Sequence, residues 1–236
     1  MRLDKILSNS GYGTRKEVKR LVKQGAVKVD GVVAKDSGMH VNPETAVIEV
    51  NGERLNYREF IYIMMNKPQG VISATYDLRH KTVVDLLTDE YMAFDLFPAG
   101  RLDIDTEGLV ILTNDGDFAH RILSPKSHVP KKYYALVEGK VTGEDINKFR
   151  DGVVLDDGYK TMPAQLSVIS TDECSEVELI IHEGKFHQVK RMFEAVGKKV
   201  IYLKRTAIGS LTLDEKLKTG EFRELTEEEV ELLRPE

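Results

Sequence analysis

Asp103 stands in Phe97-Pro98-Ala99-Gly100-Arg101-Leu102-Asp103-Ile104-Asp105-Thr106-Glu107-Gly108-Leu109, between a Pro/Gly turn signal and the apolar run Leu109-Val110-Ile111-Leu112. A carboxylate on a glycine-bounded loop beside a buried strand has the placement of a covalent nucleophile. An Asp in a loop is more often a turn former, so the residues alone leave both readings open. Two other stretches carry side chains able to assist such a group. Pro130-Lys131-Lys132-Tyr133-Tyr134-Ala135-Leu136-Val137-Glu138-Gly139 reads as a strand with Tyr133, Ala135 and Val137 on one face. In Ile180-Ile181-His182-Glu183-Gly184-Lys185-Phe186-His187-Gln188-Val189-Lys190-Arg191-Met192-Phe193, a strand and a Gly turn lead into a helix. Val189, Met192, Phe193 and Val196 mark the buried face of that helix, leaving His187, Lys190, Arg191 and Glu194 on another.

Composition removes several alternatives. Cys174 is the single cysteine, and the six histidines form no His-Glu-x-x-His pair, so no metal site or disulfide is expected. No apolar run reaches the roughly 18 residues of a membrane helix, and the N-terminus lacks a secretory h-region; a cytoplasmic protein without membrane contact is expected. The net charge of -5 hides an uneven distribution. Residues 1–35 hold nine bases against three acids, and residues 182–206 hold seven against two. The tail from Leu213 to Glu236 has nine acids against four bases and masks both basic segments arithmetically. Two separated basic segments favour an anionic polymer as partner.

The elements that must position these residues follow from periodicity. Leu3, Ile6 and Leu7 start a short helix, broken at Ser10-Gly11-Tyr12-Gly13. Thr14 caps a second helix with Glu17 as capping-box partner; Val18, Leu21 and Val22 face inward, and Arg15, Lys16, Lys19, Arg20 and Lys23 outward. Ala26 to Val33 reads as a hairpin on an Asp30-Gly31 turn. Asn56 to Glu59 reads as a linker. Beyond it come a buried central strand over Phe60 to Met65, a short strand over Val71 to Thr75, and a helix around Val83 to Leu87. Asp117 to Leu123 forms a helix with Phe118, Ile122 and Leu123 inward. Thr226 caps a last helix whose apolar side is Val230, Leu232 and Leu233.

Gly100-Arg101-Leu102-Asp103 followed by Thr106-x-Gly108-Leu109 resembles the catalytic loop of the pseudouridine synthases. Lys67-Pro68-x-Gly70, Lys131-x-Tyr133-x-Ala135, Glu183-Gly184-Lys185-x-His187-Gln188-Val189-Lys190-Arg191 and Leu203-Lys204-Arg205-Thr206-x-Ile208-Gly209 resemble further motifs of that family, with Ala135 where a branched residue is more usual. Thr14-Arg15-Lys16, Arg20-Leu21 and Gly25-x-Val27-x-Val29-Asp30-Gly31 are similar to the S4 RNA-binding domain, over about residues 1 to 50. The stretch Ser124-Pro125-Lys126-x-His128-x-Pro130-Lys131-Lys132-Tyr133, and a Lys at 190, resemble the RsuA-type, small-subunit branch.

The resemblance implies an α+β chain: an S4-like domain at 1–55, a linker at 56–59, and a catalytic domain at 60–236 built on a central, mainly antiparallel sheet flanked by helices. It implies a cofactor-free and metal-free isomerisation of uridine to pseudouridine in ribosomal RNA, 16S rRNA and its uridine 516 being the expected target. Asp103 is then the nucleophile toward a flipped-out base, Tyr133 stacks on the uracil and assists proton transfer, and Lys190 keeps Asp103 ionised as its counter-charge. Asp105 is set aside as a loop-stabilising or exposed carboxylate. RNA contacts are expected from Arg101, Lys185, His187, Arg191, Lys204 and Arg205, and from Arg15, Lys16, Lys19 and Arg20 of the basic helix. The enzyme is expected to act as a monomer on rRNA or a small-subunit assembly intermediate. Two other readings are a 23S rRNA synthase of the same superfamily and a non-catalytic S4-containing assembly factor. A carboxylate-dependent hydrolase finds no second acid at a recognisable position.

Overall fold

The computed structural model describes residues 1–43 and 45–233, so the last three positions of the acidic tail and of the 60–236 domain lie outside the described residues. The chain divides into two compact units: Met1–Ile61 with Thr88–Asp95, and Tyr62–Leu87 with the chain from Leu96 on. The second unit is thus interrupted by residues 88–95. Tyr57, in the stretch read as a linker, packs with the first unit's core, and its hydroxyl reaches Met1 Sδ at 3.2 Å.

The first unit runs α1 (Leu3–Asn9), α2 (Arg15–Lys23), β1 (Val27–Val29), β2 (Val32–Val33), β3 (Ile48–Val50) and β4 (Glu53–Arg54), with the strands in the order β2-β1-β3-β4. Leu3, Ile6, Leu7, Val18, Val22 and Val27 close its core. The capping box forms: Thr14 N donates to Glu17 Oε2 at 2.8 Å and Glu17 N to Thr14 Oγ1 at 3.4 Å. Asp30 and Gly31 both take positive φ, as a two-residue turn between right-twisted strands requires. The basic side chains of α2 are left exposed.

The second unit contains β5 (Tyr62–Lys67), β6 (Phe97–Ala99), β7 (Glu107–Thr113), α3 (Gly116–Leu123), β8 (Lys131–Glu138), α4 (Gly143–Asp151), β9 (Gln165–Thr171), β10 (Cys174–Ile181), α5 (Gln188–Ala195), β11 (Lys199–Ile208), β12 (Leu211–Thr212), β13 (Phe222–Glu224) and α6 (Glu227–Glu231). Its sheet runs β13-β5-β7-β11-β8-β10-β9, antiparallel except between β7 and β11. Phe118, Ala119 and Ile122 of α3, with Val230 and Leu233, cover Met64, Leu109 and Ile111 on one side. On the other side Phe149 of α4 and Phe193 of α5 meet with ring centroids 4.9 Å apart. No helix of the described residues is long and apolar enough to cross a membrane.

Several expectations shift. The Phe60 strand begins at Tyr62, Val71 to Thr75 makes only the isolated Ile72–Thr82 bridge, and the Val83 to Leu87 helix is a single 3-10 turn over Val84–Leu86. Leu123 and Leu232 are half exposed, at 44% and 52%. Four residues separate Phe118 from Ile122 and three separate Val230 from Leu233, so those pairs share a helix face that Leu123 and Leu232 miss.

Candidate active site

The loop between β6 and β7 carries Asp103, and it is pinned from the segment that follows β5. Ser73 Oγ accepts the Leu102 N–H at 3.0 Å and donates to the Leu102 carbonyl at 3.1 Å. Gly70 N donates to the Ile104 carbonyl at 2.8 Å. Lys67, fully buried, donates to the carbonyls of Pro68 and Thr106 at 3.0 and 2.8 Å. Burial pushes its ammonium down to about 8, against the pull of Asp103, Asp105 and Glu107. The Lys67-Pro68-x-Gly70 motif is therefore a clamp that holds the Asp103 loop between its turns. Gly108 completes the mount: its φ is +103°, and a Cβ there would collide with the Arg205 carbonyl oxygen where β7 pairs with β11.

A second loop, 182–187, faces the first. Glu183 accepts from Tyr159 Oη at 2.6 Å, Met162 N at 2.8 Å and Gln188 Nε2 at 2.8 Å, while Gln188 Oε1 accepts from Lys185 N at 2.8 Å. His187 sits in left-handed conformation just before α5, its ring stacked on Phe186 at 3.8 Å. This places α5 so that Lys190 Nζ lies 3.3 Å from Asp103 Oδ2 and 2.6 Å from Asp105 Oδ1. His187 Nε2 stands 3.6 Å from Asp103 Oδ1. Lys190 is thus shared, and the acid set aside takes its shorter bond. Burial opposes ionisation of Asp105, but Lys190, with help from a backbone hydrogen bond and the nearby His187, holds the carboxyl below its usual value.

The two loops and the sheet enclose a cavity of about 430 Å³ whose walls include Asp103, Tyr133, Lys190 and Arg101. Tyr133 projects from β8 on the face that also bears Lys131, Ala135 and Val137. Arg101 is exposed at the rim, with Lys185 and the 71% exposed Phe186.

Of the side chains expected to touch RNA, three stand otherwise. Arg205 is 4% exposed and donates from Nε to the Leu109 carbonyl at 2.8 Å, so it is no surface contact. Strand alternation sends its neighbour Lys204 to the opposite face of the sheet, beside Lys132, Tyr134 and Tyr202. Arg191 is engaged by Asp156 and Asp157, at 2.6 Å to Asp156 Oδ1 and 2.7 Å to Asp157 Oδ2. Arg15, Lys16, Lys19 and Arg20 lie exposed on α2 in the first unit. Sequence reading missed Lys67, Lys131, Glu183 and Phe186 as site residues. For Lys131 the signal was present, since a strand that turns Tyr133 inward turns the residue two before it inward as well. Among the described residues, no group of three or more His, Cys, Asp or Glu is placed to hold a metal ion.

Comparison with known proteins matches residues 61–195 to RNA pseudouridylate synthase and residues 1–47 to the S4 domain. The chain is 58% identical to the uncharacterized RNA pseudouridine synthase YtzG of Bacillus subtilis, over 99% of this chain and 98% of that protein. It is 47% identical to ribosomal small subunit pseudouridine synthase A of Vibrio cholerae, over 98% of each. With ribosomal large subunit pseudouridine synthase B of Bacillus subtilis it shares 42% identity, over 99% of this chain and 95% of that one. A solved structure, the crystal structure of pseudouridylate synthase, superposes with a TM-score of 0.69 at 38% identity, covering 99% of this chain and all of that one.

Proposed function

The chain belongs to the RNA pseudouridylate synthase family with an N-terminal S4 domain, an enzyme that converts uridine in RNA to pseudouridine, and we propose that its substrate is 16S rRNA, at uridine 516. The observation that carries this target is the 47% identity, end to end, with a protein named as a small-subunit synthase. The Ser124 to Tyr133 stretch supports it through its resemblance to the small-subunit branch.

In this reading Asp103 is the nucleophile, adding to C1′ of the ribose or C6 of the base, and Lys190 and His187 hold its two oxygens in aim. Tyr133 offers the ring against which the flipped uracil stacks and a hydroxyl for the C5 proton. Arg101, exposed two residues before Asp103, fills the gap left by the base or grips a flanking phosphate. The exposed bases of α2 supply phosphate contacts that position the RNA without reading its sequence. Extruding the base costs a few kcal/mol, so partly opened RNA is the better substrate.

The 42% identity with a large-subunit synthase supports a second reading, a 23S target. Incubating the purified protein with 16S and 23S transcripts, followed by carbodiimide adduct mapping, separates the two. An adduct at position 516 of 16S rRNA is expected; adducts confined to 23S rRNA move the target there. Adducts on neither, with RNA still bound, would favour a non-catalytic assembly factor.

A further inference from the structure

On the floor of the Asp103 cavity, Lys131 stands two residues before Tyr133 on β8, and Arg205 pairs opposite Tyr133 on β11. The tyrosine is thus flanked by two cations on one sheet face, the diagonal neighbours of such a ladder lying about 7–8 Å apart. Both are buried, at 9% and 4% exposure. No hydrogen bond or ion pair among the described residues takes the Lys131 ammonium, and Arg205 Nη2 is buried without a partner. The carboxylates nearby are engaged elsewhere: Asp103 and Asp105 by Lys190 and His187, Glu183 by Gln188, Tyr159 and the Met162 N–H, and Glu107 by the Tyr202 hydroxyl. Burial, aided by the Arg205 charge, pushes the Lys131 ammonium down to about 8. An unbalanced cation held in a low-dielectric wall, at a free-energy cost, is the arrangement that stabilises charge arriving with a substrate.

Resting on the isomerase reading above, we propose that Lys131 is a further catalytic residue: it donates a hydrogen bond to a carbonyl oxygen of the uracil and, with Arg205 as a fixed charge behind it, stabilises the base while it is detached as an anion. In the route through the sugar, a carboxylate oxygen of Asp103 bonds to C1′ as the C1′–N1 bond breaks, and the electron pair of that bond stays with the base. Its negative charge spreads onto O2 and O4. After the base turns, C5 bonds to C1′, the Asp103–C1′ bond breaks with its pair returning to the carboxylate, C5 loses its proton and N1 gains one. If Asp103 adds first to C6, the displaced pair moves onto O4, so the charge appears on one of the same two oxygens. Uracil presents acceptors there, and Lys131 and Arg205 carry donors only. The tyrosine between them holds the ring by its face, so the base can turn while an acceptor stays within reach of the ammonium.

The test uses the full chain in excess over an rRNA transcript carrying tritium at uridine C5, because the label is released to water only when C5 has bonded to C1′. Lys131→Met keeps the side-chain length and removes the charge; Lys131→Arg restores it. The expected result is a single-turnover release rate about 10²- to 10³-fold lower for Lys131→Met, RNA retention within about twofold of wild type, and recovery to within about tenfold of wild type in Lys131→Arg. A Lys131→Met rate within about threefold of wild type overturns the proposal. So does an equal loss in both variants accompanied by a parallel loss of RNA retention, which assigns Lys131 to packing. Wild-type protein that releases no tritium from 16S or 23S transcripts overturns the isomerase reading, and this proposal with it, so the two failures are told apart.

Discussion

Around the mouth of the Asp103 cavity, Lys190 bridges Asp103 and Asp105 and His187 faces the other side of Asp103; beside Lys190 on α5, outside the cavity wall, Arg191 is held by Asp156 and Asp157. On the floor of the same cavity, Lys131 and Arg205 lie buried on neighbouring strands, and no carboxylate of the described residues forms an ion pair with either. The mouth is built from loops and a helix end, where side chains can turn to find partners and water screens what is left. The floor is a sheet face, where alternation fixes each direction and the low dielectric magnifies every uncompensated charge. The difference separates two tasks: paired groups hold a nucleophile in aim, and unpaired ones wait for charge that the substrate brings.

The comparison can be broken from either side. Lys190→Met removes the cation that two carboxylates share, so the single-turnover rate should drop by about 10²-fold with RNA retention little changed; a rate near wild type would mean that the mouth needs no internal pairing. Gly108→Ala wedges a methyl group against the Arg205 backbone at a positive φ, prising the loop strand from the floor strand. A loss of more than about 2 kcal/mol in urea unfolding is expected, and an unchanged midpoint would show that the two strands separate freely.

Lys131→Met has a second consequence, in stability. Because the folded pKa, about 8, lies below the usual 10.5, the folded state bears the cost of the buried charge below pH 8 and sheds it as pH rises toward 10.5. The variant should be more stable than wild type at pH 7, by at most about 3 kcal/mol, with the gain fading by pH 10. Urea midpoints across that range decide it, and a gain independent of pH would point to packing. Lys67 has the same depressed value but two carbonyl partners, so it serves as the contrast. Smallest is Arg191→Ala: its partners Asp156 and Asp157 are largely exposed, so stability should move by less than about 0.5 kcal/mol. RNA retention should shift by less than about twofold; a larger loss would mean the arginine leaves its aspartates for the RNA.

What could be read from sequence was mostly what is local. Thr14 and Glu17 lie one helical turn apart, and Asp30-Gly31 specifies its turn through backbone preferences, so both appear where expected. The apolar residues of α5 left Lys190 on the other side of the helix with His187, Arg191 and Glu194, and the family resemblance singled it out among them. Lys131 and Arg205 were both masked by their charge, which suggests a surface; strand alternation from Tyr133 still pointed Lys131 inward, whereas only the pairing of β8 with β11, between residues more than 70 apart, shows that Arg205 lies beside it. The sharing of Lys190 between two aspartates was equally hidden, because it depends on how the loop 101–106 is clamped by Lys67, Gly70 and Ser73 from another part of the chain.

Everything at the mouth and the floor is arranged around Asp103, and Asp103→Asn keeps its shape while removing its charge. With C5-tritiated rRNA, wild type should release tritium, and the variant should release none above background while retaining the RNA as wild type does. Appreciable release by Asp103→Asn would contradict the account.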